Sequence, residues 1–124
     1  MAPIRIAGAH NPCNQVEFEI ELTDGEVLPL TVPKAQYIAK PIMDKYEPWL
    51  REWERKVTSP DTDPAERATM HEYDPMLKLF ELILPKATYN KIAKLTKGEL
   101  MALDKEWLNA SDMSVGESSA SDKS

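Results

Sequence analysis

Apolar and acidic side chains alternate strictly near the start of the chain: Val16, Phe18, Ile20 and Leu22 are separated by Glu17, Glu19 and Glu21. A period of two puts every second side chain on one side of an extended backbone, so this stretch predicts a strand with one buried face. Asp24-Gly25 follows, a pair that tolerates the positive φ of a tight turn, and Val27, Leu28, Leu30 and Val32 supply a return strand. Pro29 cannot donate to a ladder, which puts the second strand at an edge. A two-stranded hairpin is barely stable alone, so its apolar face must lie on other elements.

After residue 33 the period changes to that of a helix. Ile42, Tyr46, Trp49, Leu50, Trp53 and Val57 share one stripe, with Pro48 either kinking the helix or opening a second segment near Glu47. Asp63-Pro64-Ala65-Glu66 has the order of a capping-box start with proline at the first helical position, so a helix is predicted from Pro64. Its later face is Tyr73, Met76, Leu77, Phe80, Ile83 and Leu84, with a break or kink at Pro75 and a stop at Pro85. A short helix over 86–94 presents Tyr89 and Ile92, with Leu95 following. Thr96 and Glu99 make a reciprocal capping box, Leu95 and Leu100 a staple across it, and Leu100, Leu103, Trp107 and Leu108 the last buried stripe.

The expected architecture is therefore α+β, mainly α: an N-terminal β-hairpin (16–33) packed on about four short helices (34–110), all in one domain over 16–110. Residues 1–15 carry Pro3, Gly8, Asn11, Pro12 and Asn14 and are read as a flexible leader. Residues 111–124 are rich in serine with no apolar period, and are expected to form a disordered tail or linker.

Charge and composition remove several function classes. The 124 residues carry a net charge of −6, which disfavours a nucleic-acid or anionic-lipid partner. No run approaches the roughly 18 to 20 apolar residues of a membrane span. Cys13 is the one cysteine, and the opening residues lack the apolar stretch of a signal peptide, so a cytosolic protein is expected. His10 and Cys13 have a ligand-like spacing, but no second pair is near enough in sequence to complete a zinc site. His71, Glu72 and Asp74 cluster, and His71 with Asp74 is read as a surface ion pair. Asp63 in "SPDTDP" reads as a helix cap, not as a calcium ligand. With 4 glycines and neither a G-x-x-x-x-G-K nor a G-x-G-x-x-G motif, a phosphate loop is not expected. Neither a catalytic constellation nor a cofactor is predicted, and the surviving class is binding.

The conspicuous aromatic residues are then the candidate partner contacts: Tyr46, Trp49, Trp53 and Trp107. Trp and Tyr dominate interface hot spots, although core packing explains the same spacing. One of Trp49 and Trp53 is expected in the core and the other at the surface.

The C-terminal third adds a resemblance. "LTKGELMALDKEWLNAS" followed by "VGESSAS" is similar to the end of the tail assembly chaperones of long-tailed (siphovirus) phages that infect actinobacteria. The shared order is a capped helix (Thr96 to Leu100), a tryptophan near its end (Trp107), an alanine-serine exit (Ala110-Ser111) and a Gly116-Glu117-Ser118-Ser119 coda. "LTVPKA" at Leu30 to Ala35 resembles the N-terminal part of the same proteins. The resemblance implies a short product of a pair made by programmed −1 frameshifting, with Gly116, Glu117 and Ser118 near the point of slippage. It implies binding to the tape-measure protein in the host bacterial cytoplasm and absence from the mature virion. The frameshifted long form and tail-tube subunits are further implied partners, and a homo-oligomer is compatible with the same role. An alternative from another class is a small acidic regulatory adaptor or anti-repressor that binds a folded host protein.

Overall fold

The computed structural model describes residues 2–111. The elements are β1 (Gln15–Glu21), β2 (Val27–Pro33), α1 (Lys40–Thr58), α2 (Pro64–Arg67), α3 (Asp74–Ile83), α4 (Lys86–Ala93) and α5 (Lys97–Ala110), with single 3-10 turns at Pro12–Asn14 and Ala35–Tyr37. The class is α+β, mainly α, with a two-stranded antiparallel hairpin at the N-terminal end. Contacts sort these elements into two compact units, Met1–Ala39 with Ala102–Ser124, and Lys40–Met101. The pattern along the chain, by contrast, predicts a single domain over 16–110.

In the first unit, β1 and β2 pair with Val16 opposite Val32, Phe18 opposite Leu30 and Ile20 opposite Leu28. The turn closes with Leu22 N–H donating to Glu26 O at 2.7 Å and Gly25 N–H to Leu22 O at 2.9 Å. Gly25 sits at φ 90°, where a Cβ would be strained, and Asp24 Oδ1 accepts from Glu26 N–H at 2.9 Å. Burial follows the predicted alternation but fades toward the turn. Val16, Leu30 and Val32 are buried, whereas Phe18, Ile20 and Leu28 are half-buried.

The far end of the hairpin is fastened to the last half of α5. Trp107 is 2% exposed, and its Nε1–H donates to Pro33 O at 3.0 Å. Ser111 is fully buried, its N–H donates to Trp107 O, and its Oγ accepts from Ala35 N–H at 2.9 Å. This corrects the boundary of the tail: Ser111 belongs to the fold. It stands four positions after Trp107, on the Leu103–Trp107 stripe, and a hydroxyl fits there because a backbone donor has to be satisfied. Gly116, Glu117 and Ser118 lie outside the described residues.

The leader reading also needs correction at its C-terminal end. Asn14 is 6% exposed; its Nδ2 donates to Gly8 O at 2.9 Å and to Ala7 O at 3.3 Å, while its own carbonyl accepts from Lys34 N–H. Residues 7–14 are thereby tied to the start of the ladder.

The second unit is helical. Tyr46, Tyr73, Met76, Leu79, Phe80, Ile92, Leu95 and Leu100 are its buried apolar residues. α1 runs unbroken through Pro48. The proline removes the donor for the Asp44 carbonyl, but Asp44 and Pro48 are both exposed, so water can take the orphaned acceptor. The predicted helix from Pro64 is one turn only, and Asp74 and Pro75 open a separate helix, which makes five α-helices among the described residues. Proline at the second position of α3 costs nothing, because that N–H has no intrahelical partner. The Thr96 box forms as predicted: Thr96 N–H donates to Glu99 Oε1 at 2.8 Å and Glu99 N–H to Thr96 Oγ1 at 3.2 Å. Leu95 and Leu100, the staple pair, are both buried.

Candidate functional site

The aromatic stripe of α1 divides along its length. Tyr46 is 7% exposed and belongs to the interior, whereas Trp49 and Trp53 are both half-buried. The expectation of one core and one surface tryptophan is therefore replaced by a pair that shares both roles. Residues four apart on a helix present the same face, so the edge of a packed layer cuts both rings alike. Their rings stack, with centroids 6.3 Å apart and planes at 18°, and Tyr46 stacks on Trp49 at 6.1 Å. Trp107, the fourth candidate contact, is a core residue of the other unit. Sequence could not separate these cases, since an apolar stripe looks the same whether or not another element covers it.

Trp49 and Trp53 line a cleft of about 280 Å³ together with Glu52, Lys56, Glu66, Thr69, Met70 and Asp74. The far wall is the segment between α1 and α3. Asp63 caps α2, its Oδ1 accepting from Ala65 N–H at 3.1 Å, as the sequence predicted. Glu66 does not complete a capping box; its Oε2 pairs with Lys56 Nζ at 2.8 Å and ties α2 to α1. Thr69 Oγ1 donates to Glu66 O at 2.7 Å, a side-chain bond that competes with continuation of the helix. Asp74 then shapes the other end of the cleft. Its Oδ2 accepts from Trp53 Nε1–H at 3.2 Å and from His71 N–H at 2.9 Å. The predicted His71–Asp74 ion pair is thus a backbone bond instead: residue 71 precedes the helix, so the carboxylate turns back to its N–H, while the imidazole stacks on Tyr73 at 4.9 Å.

The charges at the rim are matched to one another. Glu52 is held below the usual carboxylate range, first by its hydrogen bonds from Arg55 and then by the charge of the same guanidinium. Lys56 is raised by its hydrogen bond and charge attraction to Glu66. Both pairs are exposed and contribute little to stability. Beyond Trp53, α1 also borders a more open groove of about 460 Å³ with Arg51, Glu54, Arg55, Val57 and Thr58. Val57, expected on the buried stripe, is 38% exposed. The α1 stripe is thus covered at its first half and open at its second. The result is an apolar floor of stacked indoles with Met70 beside it, rimmed by paired charges: a seat for a large apolar side chain. Among the described residues no group of three or more His, Cys, Asp or Glu is gathered for a metal, and no helix is long and apolar enough to cross a membrane.

Comparison with known proteins returns no matching family model, no matching curated protein and no matching solved structure.

Proposed function

We propose that the protein is a tail assembly chaperone of a long-tailed phage, and that its client, the tape-measure protein, is gripped at the Trp49–Trp53 cleft. The observation that carries the binding reading is the half-buried, stacked tryptophan pair with Met70 on a wall rimmed by ion pairs. Large rings immobilised at little entropic cost make strong contacts, and Met adapts to varied apolar partners. The choice of client rests on the C-terminal motif order described above. A long helical client offers apolar side chains one turn apart, and an indole-floored seat accepts one of them while the paired charges keep the empty site soluble. The short form acts in the host cytoplasm alongside its frameshifted long form and leaves before the tail is complete.

Co-expression tests this directly. The tape-measure protein should be soluble and co-purify with the parent chain, and should be lost from the soluble fraction with Trp53→Ala. Equal client solubility with and without this protein, and no complex, would overturn the chaperone reading in favour of the regulatory adaptor. The nucleotide sequence over codons 110–124 provides a second test, since the proposal requires a slippery heptanucleotide and an overlapping frame.

A further inference from the structure

We infer that the outer edge of β1 takes residues 2–7 of a second copy of this chain as a third strand, giving a twofold dimer by reciprocal strand exchange. The hairpin's two edges are unequal. Lys34 N–H bonds Asn14 O at one end of the ladder and Leu22 N–H bonds Glu26 O at the other, so by the alternation of an antiparallel pair the even-numbered residues bond across it. The odd-numbered residues turn their backbone groups outward. On β2 these are Val27, Pro29, Thr31 and Pro33, and the two prolines have no N–H to offer an added strand. On β1 they are Gln15, Glu17, Glu19 and Glu21; the Gln15 N–H already donates to Pro12 O, which leaves its carbonyl and both backbone groups of each of the three glutamates for an added strand. The open edge is also the one whose apolar face is incompletely covered, with Phe18 and Ile20 half-buried.

Residues 2–7 carry the complementary pattern. Ile4 and Ile6 are 93% and 88% exposed and flank the exposed Arg5. Antiparallel to β1, a register that lays the segment along the strand with Ile4 and Ile6 on the Phe18 face sets Arg5 on the glutamate face opposite Glu17 or Glu19, where it bonds through both backbone groups, while Pro3 at the strand's end bonds through its carbonyl alone. The segment does not cover its own β1. Asn14 anchors Ala7 and Gly8, and the residues before them run out into solvent, which is why the occupant is the neighbouring copy's segment. Two identical exchanges close the assembly.

Sedimentation of the full chain over a range of concentrations reads the inference. The parent should dimerise, and Ile4→Ser combined with Ile6→Ser should weaken the dimer roughly tenfold or more with unchanged helical circular dichroism, because neither side chain is in the core. Arg5→Glu should weaken it about fivefold, and adding Glu17→Lys with Glu19→Lys should restore it. A parent that is monomeric at every concentration overturns the inference, as does a dimer indifferent to the double serine variant. A monomer whose residues 2–7 are protected from hydrogen exchange also overturns it, since the segment would then be serving its own chain.

Discussion

Trp107 and Trp53 are the same residue type in two differently built regions, and each indole N–H has found an oxygen. In the hairpin unit the acceptor is the Pro33 carbonyl and the ring is 2% exposed. In the helical unit the acceptor is the Asp74 carboxylate and the ring is half-buried along a cleft. A tryptophan bonded to a strand's backbone and enclosed on all sides fixes the fold. One bonded to a part-buried carboxylate keeps its orientation while leaving part of its ring exposed. What distinguishes the two indoles is the enclosure around the ring, not the satisfaction of its polar atom.

The largest expected effect follows from that contrast. Trp107→Ala should destabilise the fold by about 3 to 5 kcal/mol in denaturant titrations, and Trp107→Phe, which keeps most of the ring but leaves Pro33 O without its donor, by about 1 kcal/mol plus the packing lost. Trp53→Ala should cost about 1 to 2 kcal/mol in stability yet weaken client binding by about 2 kcal/mol or more in a pull-down or calorimetric titration. If the two tryptophans prove equally costly to folding, the distinction fails. Ser111→Ala should cost about 1 kcal/mol by removing the acceptor for Ala35 N–H, so a chain ending at Ala110 should melt below one ending at Ser111. Equal melting of those two truncations would return Ser111 to the tail.

The smallest effect is electrostatic. The Tyr89 phenol is raised above its ordinary value of 10.0, chiefly by burial and then by the charges of Glu81 and Asp74. The unfolded chain therefore ionises first as pH rises. The contribution of Tyr89 is complete below the unfolded value and is lost as pH climbs through the folded one. An ultraviolet titration should show a late-ionising component that Tyr89→Phe removes, and that variant should lose less stability in this alkaline window.

Most of the elements could be read from side-chain period and caps, because those signals are local. The Val16–Leu22 alternation, Asp24-Gly25, Asp63 and the Thr96–Glu99 box each act within a few residues, and each appears where the pattern put it. The readings that needed revision depended on what lies across space. Pro48 stays inside α1 because its face is wet, which a one-dimensional pattern does not reveal. Ser111 looked like tail because serine has no apolar signature, although its position four after Trp107 continued the stripe. The cleft depended on α2 stopping after one turn, and that stop follows from Thr69, Asp74 and Lys56 drawing backbone and side-chain groups away from helical continuation.

The two prolines of β2 have a consequence for polymer growth. A sheet that stacks into a fibre needs each unit to receive a strand on one side and offer a fresh template on the other. With Pro29 and Pro33 facing outward, this hairpin has one reactive end. A strand added at the β1 edge therefore ends at this hairpin and is not passed onward through β2.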